Sequence, residues 1–109
     1  MGKPVIGEVV VIPFPQTDLQ VGKRRPALVV ADLTGHDLIL SQITTKSHHD
    51  SYSVALTGGD FEHGRLNVNS FIRPNRLFTV DQGVIVYTAA KVKASKLEEV
   101  RSKIRQLFS

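Results

Sequence analysis

The 109-residue chain contains no cysteine. This absence excludes a disulfide framework, a thiol nucleophile and a cysteine-ligated zinc site. Long apolar runs are also missing: no stretch approaches the roughly 20 apolar residues that a membrane-spanning helix needs. The Met-Gly-Lys-Pro start lacks the apolar segment of a signal peptide. Together these absences predict a cytoplasmic protein without a membrane segment.

What is present indicates a globular chain. Hydrophobic residues make up 41% of the sequence, charged residues 22%, and the mean hydropathy is −0.04, so the chain is neither disordered nor membrane-embedded. Its length predicts a single domain over residues 1–109. A domain of this size can bury roughly two-thirds of the surface that its unfolded chain exposes.

The net charge of +4 is unevenly distributed. Lys and Arg number 14 against 10 Asp and Glu, and residues 91–109 alone contain six basic and two acidic residues. The whole excess therefore lies in this last segment, and the rest of the chain is neutral. The pI of 9.7 is for that reason not, by itself, evidence that the main surface binds nucleic acid.

Short β-branched segments separated by turns predict a mainly β protein. A hairpin is expected around Gly35-His36-Asp37, and Pro74-Asn75 is expected to separate two extended segments. Several short strands followed by one helix favour a small, partly closed barrel. The predicted strands cover residues 7–14, 26–31, 37–44, 52–56, 70–73, 76–80 and 84–87.

The C-terminal segment carries the helix signals. Ser95 is the expected N-cap, with Glu98 at the capping-box spacing. Apolar residues then recur at steps of three and four and predict a stripe that packs on the core. The opposite face, with Lys96, Arg101, Lys103 and Arg105, is expected to be solvated, and contact with phosphate or an acidic partner is the alternative. The stripe consists of Leu97, Val100, Ile104, Leu107 and Phe108.

The most conspicuous polar group is Lys23-Arg24-Arg25, directly before Pro26 and an apolar strand. The proline restricts Arg25 to extended geometry, and a planar guanidinium there can bind a phosphate. A solvated turn is the alternative interpretation. The predicted hairpin returns Thr44 and Thr45 to the start of the Arg25 strand, and a hydroxyl beside a guanidinium can hold a phosphoryl oxygen. The alternative is that the two threonines reflect only the β-propensity of a strand end.

A second basic and aromatic group comprises Phe71, Arg73, Asn75 and Arg76, which is suited to stacking RNA bases. A core phenylalanine with surface arginines is the alternative. His48-His49-Asp50 contains metal-ligand types, but adjacent side chains of an extended segment point apart, which disfavours a metal site. The sequence has no serine-hydrolase elbow and no phosphate-binding glycine loop.

Five motifs follow one another along the chain and are followed by the helix. They are Gly7-Glu8-Val9-Val10, Pro13-Phe14-Pro15, Arg24-Arg25-Pro26-Ala27-Leu28-Val29-Val30, Gln42-Ile43-Thr44-Thr45 and Ser70-Phe71-Ile72-Arg73-Pro74-Asn75-Arg76-Leu77-Phe78-Thr79-Val80-Asp81. In this order, they resemble the MazF/PemK family of toxins. The resemblance covers nearly the whole chain. It implies a mainly β fold with a C-terminal helix, a small SH3-like partly closed barrel of MazF/CcdB type, and a homodimer.

The same resemblance implies a type II toxin–antitoxin endoribonuclease that is metal-independent, uses no cofactor, cleaves single-stranded RNA selectively and is neutralised by a cognate antitoxin. The RNA 2′-hydroxyl would attack the adjacent phosphorus and leave 2′,3′-cyclic phosphate and 5′-hydroxyl ends. Matched residue by residue, it implies catalytic roles for Arg25, Thr44 and Arg73. The RNA-binding residues expected around them are Asp18, Gln20, Lys23, Arg24, Thr45, Lys46, Phe71, Asn75 and Arg76.

Two positions depart from the family pattern. Some relatives have a glutamate where this chain has Gln20 and an aspartate where it has Asn75. A neutral amide preserves shape but is no proton acceptor, so the base for the 2′-hydroxyl stays open, with Asp18 the nearest candidate. Two other functions therefore stay open as well: a non-cleaving module that binds RNA or antitoxin, and a toxin that inhibits DNA gyrase by protein contact.

Overall fold

The computed structural model describes residues 2–13, 23–47 and 50–109, and over these ranges the chain is mainly β with a C-terminal helix. The strands are β1 (Glu8–Pro13), β2 (Arg24–Asp32), β3 (Asp37–Thr44), β4 (Val54–Leu56), β5 (Phe61–Gly64), β6 (Ser70–Asp81) and β7 (Tyr87–Val92). The helix α1 is Ala94–Leu107, and two short 3-10 turns are Gly58–Asp60 and Gln82–Val84.

Within the described ranges, the seven strands form one sheet in the order β4-β6-β3-β2-β1-β7-β5, and every pairing is antiparallel. Gly35, at a φ of 73°, turns β2 back into β3, which confirms the predicted hairpin. Four of the six pairings contain a register shift. Because bulges bend strands and increase their twist, the sheet curls into a half-barrel, and the predicted partly closed barrel is confirmed.

The curled sheet buries apolar side chains on both faces. Alternate residues of a strand point to opposite faces, so Leu28 belongs to one cluster and Val29 to the other. The helix α1 covers the first cluster, to which it contributes the fully buried Val100. The second cluster, on the opposite face, consists of Val10, Ile12, Ala27, Val29, Leu38 and Leu40.

The apolar stripe of α1 packs against the sheet as its spacing predicts, with Leu97 and Ile104 against the first cluster. The predicted cap is wrong. Lys93 is the N-cap and Ser95 is already helical, because β7 runs to Val92 and leads almost directly into the helix. Phe108 lies beyond the last helical residue and is 79% exposed, so it does not share the packing expected of the stripe.

The basic face of α1 is not simply solvated, contrary to prediction. The Lys96 side chain is only 14% exposed, and its Nζ donates to the carbonyl oxygen of Ala55 at 3.0 Å. The Nζ of Lys103 donates to the carbonyl oxygen of Ser51, also at 3.0 Å. These two bonds tie the helix to β4 and to the connection that precedes it.

Residues 70–81 form one strand, whereas the sequence predicted two. The strand β6 pairs with β3 on both sides of the proline, with Arg73 opposite Gln42 and Leu77 opposite Ser41. Residues 74–76 are therefore extra residues that leave the ladder as a bulge. A proline has no N–H to donate, so a bulge is a position where a strand tolerates it.

The strands nearest the helix also differ from prediction. The last strand is β7 rather than residues 84–87, because residues 82–84 form a 3-10 turn in which Asp81 Oδ2 accepts the Gly83 N–H at 2.6 Å. The strand β5 was not predicted. It lies at the sheet edge with three exposed residues of four, so it has no alternation of apolar and polar residues to reveal it.

A buried serine stabilises the bulge of β6. Ser41 is fully buried, and its Oγ donates to the carbonyl oxygen of Arg73 at 2.7 Å. Arg73 is the last paired residue before the bulge. A buried carbonyl without a partner costs free energy, so this hydroxyl supplies a donor where the ladder is interrupted.

We expect Ser41→Ala to lower the free energy of unfolding by about 1–3 kcal/mol, because the Arg73 carbonyl loses its donor in a part-buried position. Urea titration followed by circular dichroism measures the loss. Ser70→Ala is the matched control, since Ser70 Oγ donates to the carbonyl of Val68, two residues away in the same segment, and does not bridge two strands at an interrupted ladder. Equal losses in the two variants would contradict a special role for Ser41.

Candidate nucleic-acid interface

Arg25, Thr44 and Phe71 lie on adjacent strands at one end of the sheet. Thr44 is directly opposite Phe71. In the neighbouring ladder Ala27 is opposite Gln42, and the same register continued by two residues sets Arg25 opposite Thr44. Directly opposed residues share a face, with Cβ atoms about 4.5–5.5 Å apart. Arg25, Thr44 and Phe71 thus form a row across the sheet, called here the Arg25 row.

A second row lies about 7 Å along the strands on the same face. It contains Ala27, Gln42 and Arg73. The apolar second cluster occupies the rest of this face, and Gln42 and Arg73 are half-buried, like the three members of the Arg25 row. The end of a buried apolar face is therefore built from half-buried polar and aromatic side chains, as in many ligand sites.

The Thr44 hydroxyl has a defined place in this site. Its Oγ1 accepts the backbone N–H of Lys46 at 3.1 Å, which holds the chain in a turn just after β3. A threonine hydroxyl carries one donor in addition to its acceptor positions. Thr44 can therefore still donate a hydrogen bond to a ligand oxygen.

The basic residues predicted for RNA binding gather at the same end of the sheet. Because β2 and β3 are antiparallel, the beginning of β2 and the end of β3 are neighbours. Across the described ranges, five of these cations form no ion pair with an acidic side chain. They are Lys23, Arg24, Arg25, Lys46 and Arg76. Arg25 is half-buried and the other four are exposed. Thr45, which was also predicted to bind RNA, is exposed too.

The bulge of β6 extends the site. Asn75 and Arg76 line a cleft of about 320 Å³ together with Gln42, Leu77 and Phe78. Gln42 also belongs to the second row, so the cleft is continuous with the two rows. Gln42 was not among the site residues predicted from the sequence. Its position two residues before Thr44, on the same face of the strand, is the signal that could have identified it.

Arg73 is held by an acidic residue that the sequence analysis did not connect with it. Its Nη2 lies 3.3 Å from Asp50 Oδ2, and the two side chains are 15% and 20% exposed. Asp50 Oδ1 accepts the backbone N–H groups of Tyr52 at 3.0 Å and Ser53 at 2.9 Å. The spacing of an aspartate two and three residues before these N–H groups is a local turn signal, but it does not identify Arg73 as the partner.

These contacts favour the charged form of Asp50. The backbone N–H of Ser53 contributes most to lowering the pKa of the Asp50 carboxyl below its usual range. The N–H of Tyr52 and the Arg73 guanidinium lower the pKa further, and they outweigh the opposing effect of desolvation. Asp50 is consequently a fixed negative charge against Arg73 at neutral pH.

Asp18 and Gln20, as well as His48 and His49, lie outside the described residues. Among the residues that are described, no three His, Asp or Glu side chains converge as metal ligands would. In the same ranges no helix is long and apolar enough to span a membrane.

The family of the chain follows from comparison with known proteins. A family model for the PemK-like, MazF-like toxin of type II toxin-antitoxin systems matches residues 6–108. The chain belongs to this toxin family. The match covers both rows, the cleft and the helix.

Solved structures share the fold of this PemK/MazF-like toxin. A MazE-MazF structure from Deinococcus radiodurans has a TM-score of 0.79 and 22% identity, and the match covers 100% of this chain and 98% of that one. MazF from the same organism has a TM-score of 0.75 and 24% identity, with 99% and 98% covered. An endoribonuclease from a mycobacterial species has a TM-score of 0.75 and 15% identity, with 99% and 93% covered. No curated protein matches significantly.

The lowered pKa of Asp50 predicts a pH-dependent contribution to the stability of the toxin. A carboxyl whose pKa is lower in the folded state stabilises that state above its unfolded pKa, and this contribution is lost as the pH falls through the folded pKa. The difference in the free energy of unfolding between wild type and Asp50→Asn should therefore be constant near neutral pH. It should shrink as the pH falls below 3.8, the ordinary pKa of an aspartate. Urea titrations over a pH series test this; a difference that stayed constant to strongly acidic pH would contradict it.

Proposed function

We propose that this toxin is a sequence-selective, metal-independent endoribonuclease that cleaves single-stranded RNA. The observation that carries the proposal is the antiparallel register of β2 and β3, in which Ala27 is opposite Gln42. Continued by two residues, this register brings Arg25 opposite Thr44 on the same face. A permanent cation and a hydroxyl donor on adjacent strands can both reach the oxygens of one phosphodiester. Membership of the toxin family adds support, as does a solved structure of the same fold whose name is endoribonuclease.

The reaction uses a nucleophile that RNA itself supplies. The 2′-oxygen attacks the adjacent phosphorus, the bond from phosphorus to the 5′-oxygen breaks, and the products carry a 2′,3′-cyclic phosphate and a 5′-hydroxyl. The 2′-hydroxyl loses its proton and the departing 5′-oxygen gains one. The protein therefore has to align the attacking and leaving oxygens and stabilise the extra negative charge on the phosphoryl group.

Three side chains divide this work in the proposal. Arg25 supplies positive charge to the phosphoryl oxygens, and Thr44 donates a hydrogen bond to them. Arg73, one row away on the same face, is the second cation and acts near the leaving oxygen. The base for the 2′-hydroxyl is not assigned. Asp18 is its candidate, because an amide such as Asn75 accepts no proton.

The partners in the proposal are RNA, a cognate antitoxin and a second copy of the chain, in the cytoplasm. A mycobacterial endoribonuclease that shares the fold is described as a complex with its cognate antitoxin, which supports the second of these. The cations around the Arg25 row, which form no ion pair within the described ranges, support the first, because single-stranded RNA-binding surfaces combine positive charge with aromatic side chains. Phe71 is the aromatic member of that row.

Replacing Arg25 with alanine should lower the rate of RNA cleavage by at least about 10²-fold, because the variant loses a charge aimed at the transition state. The assay incubates purified protein with long mixed-sequence RNA in EDTA and maps the ends of the fragments. Circular dichroism verifies folding. Arg101→Ala is the matched control, since it removes the same charge from an exposed position on α1.

The outcomes of this assay separate the three candidate functions. Fragments with 5′-hydroxyl ends that disappear in Arg25→Ala support the proposal, and full activity in that variant would refute the assigned role. Retention of RNA without cleavage would favour a binding module. Growth arrest of producing cells with intact RNA would favour inhibition of gyrase.

A separate prediction concerns how RNA is bound. Each cation that contacts a single-stranded phosphate contributes about 0.7 to the slope of log affinity against log salt. We expect Arg76→Gln to lower that slope by about this amount, and Arg101→Gln to leave it unchanged. Binding is measured with a 2′-O-methyl RNA, which has no free nucleophile and stays intact. Equal slopes for Arg76→Gln and wild type would place Arg76 outside the interface.

A further inference from the structure

Arg73 is a half-buried arginine whose guanidinium has one hydrogen-bond acceptor among the described residues. A guanidinium has five N–H donors, and within the described part of the chain only one of them, on Nη2, has an acceptor, at Asp50. The Nε of Arg73 is buried and has no hydrogen-bond partner there. Buried donors are normally satisfied. A guanidinium held at one corner, with donors to spare, is suited to receive an anion.

Asp50 is itself held in place on the opposite side from Arg73. Its Oδ1 accepts two backbone N–H groups of its own turn, and its Oδ2 faces Arg73. The turn is tied to the helix as well, because Lys103 Nζ donates to the carbonyl oxygen of Ser51 at 3.0 Å. The carboxylate is therefore a rigid support, in contrast to an arginine side chain, which has many rotamers when free.

The backbone of Arg73 is constrained too. Its carbonyl oxygen accepts the hydroxyl of the buried Ser41 at 2.7 Å, and its place in the ladder is opposite Gln42. Main chain and side chain are thus held by different partners, Ser41 and Asp50. Among the residues that the structure describes, Asp50 alone accepts a hydrogen bond from the charged end of Arg73.

We infer that Asp50 is a positioning residue that fixes the direction of the Arg73 guanidinium toward the phosphodiester of bound RNA. The inference rests on the proposed function and adds to it a residue that contacts no substrate. An active-site cation is effective only when its geometry is set before the reaction, and a shift of about 1 Å can cost about 10²-fold in rate. Asp50 sets that geometry through a single oxygen, Oδ2.

The negative charge of Asp50 also opposes RNA binding, and this effect makes its positioning role measurable. A carboxylate 3.3 Å from Arg73 weakens the attraction between that guanidinium and RNA phosphates in the ground state. Loss of the carboxylate should therefore leave RNA binding as strong or stronger while it slows the chemical step. A lower kcat with an unchanged or lower KM is the signature of such a change, whereas disruption of the binding surface raises KM.

Asp50→Asn distinguishes the roles of the two carboxylate oxygens, Oδ1 and Oδ2, because it replaces only one of them with a donor. The amide oxygen can replace Oδ1 and keep the bonds to the Tyr52 and Ser53 N–H groups, but the amide nitrogen that replaces Oδ2 cannot accept from Arg73. We expect kcat for RNA cleavage to fall by about 10- to 10²-fold without an increase in KM. Asp81→Asn is the matched control. It also alters a carboxylate that accepts a backbone N–H in a turn, at the far end of β6, and should leave both constants unchanged.

A double-mutant cycle tests whether Asp50 acts through Arg73. In an Arg73→Lys background, Asp50→Asn should reduce kcat by less than it does in wild type, because the fixed guanidinium is already absent. Equal fold-losses in the two backgrounds would overturn the inference. So would an Asp50→Asn enzyme with wild-type kcat, or one whose only change is a higher KM.

One readout does not depend on RNA cleavage. The Nε–H signal of Arg73 in a ¹H–¹⁵N spectrum, assigned by its loss in Arg73→Lys, should show slow hydrogen exchange in wild type and fast exchange in Asp50→Asn. If wild type cleaves no RNA, the proposed function fails, and this signal still decides whether Asp50 orders Arg73. Identical exchange in wild type and Asp50→Asn would overturn the positioning role.

Discussion

The antiparallel ladder that joins β2, β3 and β6 is the constraint on which the candidate site depends. Directly opposed residues in such a ladder share a face, so one register brings together side chains that are far apart in the chain. Thr44 meets Phe71 across β3 and β6, and Ala27 meets Gln42 across β2 and β3. A shift by one residue would turn every one of these side chains to the opposite face. The buried apolar clusters on both faces oppose such a shift, because it would exchange side chains between two separately packed cores.

The fold, and not the net charge, decides which basic side chains are available to a ligand. The excess of +4 belongs to residues 91–109 by count, yet part of that charge is used inside the molecule. Lys96 and Lys103 bond to backbone carbonyls, and Arg105 pairs with Glu98. The cations at the end of the sheet have no acidic partner among the described residues. Cations without an acidic partner in the described ranges thus belong to a part of the chain that is neutral by count. Several cations of the basic segment instead bond within the molecule.

Support for the site reaches into the core and the helix. The bulge of β6 that carries Asn75 and Arg76 begins after Arg73, whose carbonyl accepts the buried Ser41 hydroxyl. The turn that carries Asp50 is bonded to α1 through Lys103. The helix lies over the first apolar cluster, and the polar rows share their face with the second. Stability and the geometry of the site are therefore linked, because the same strands and the same turn serve both.

Local sequence signals were sufficient for the hairpin at Gly35, for the apolar stripe of α1 and for the mainly β barrel, because periodicity and turn chemistry depend on residues only a few positions apart. They were also sufficient to select Arg25, Thr44 and Arg73 as candidates, since basic and hydroxyl groups beside predicted strands are visible in the sequence. The edge strand β5 has one apolar residue that is not exposed and no alternation, so it was missed. The continuous β6, the contact of Asp50 with Arg73 across 23 positions and the internal bonds of Lys96 and Lys103 were decided only by the tertiary structure. Such contacts depend on register, bulges and the path of connections, all of which are set by how distant segments pack.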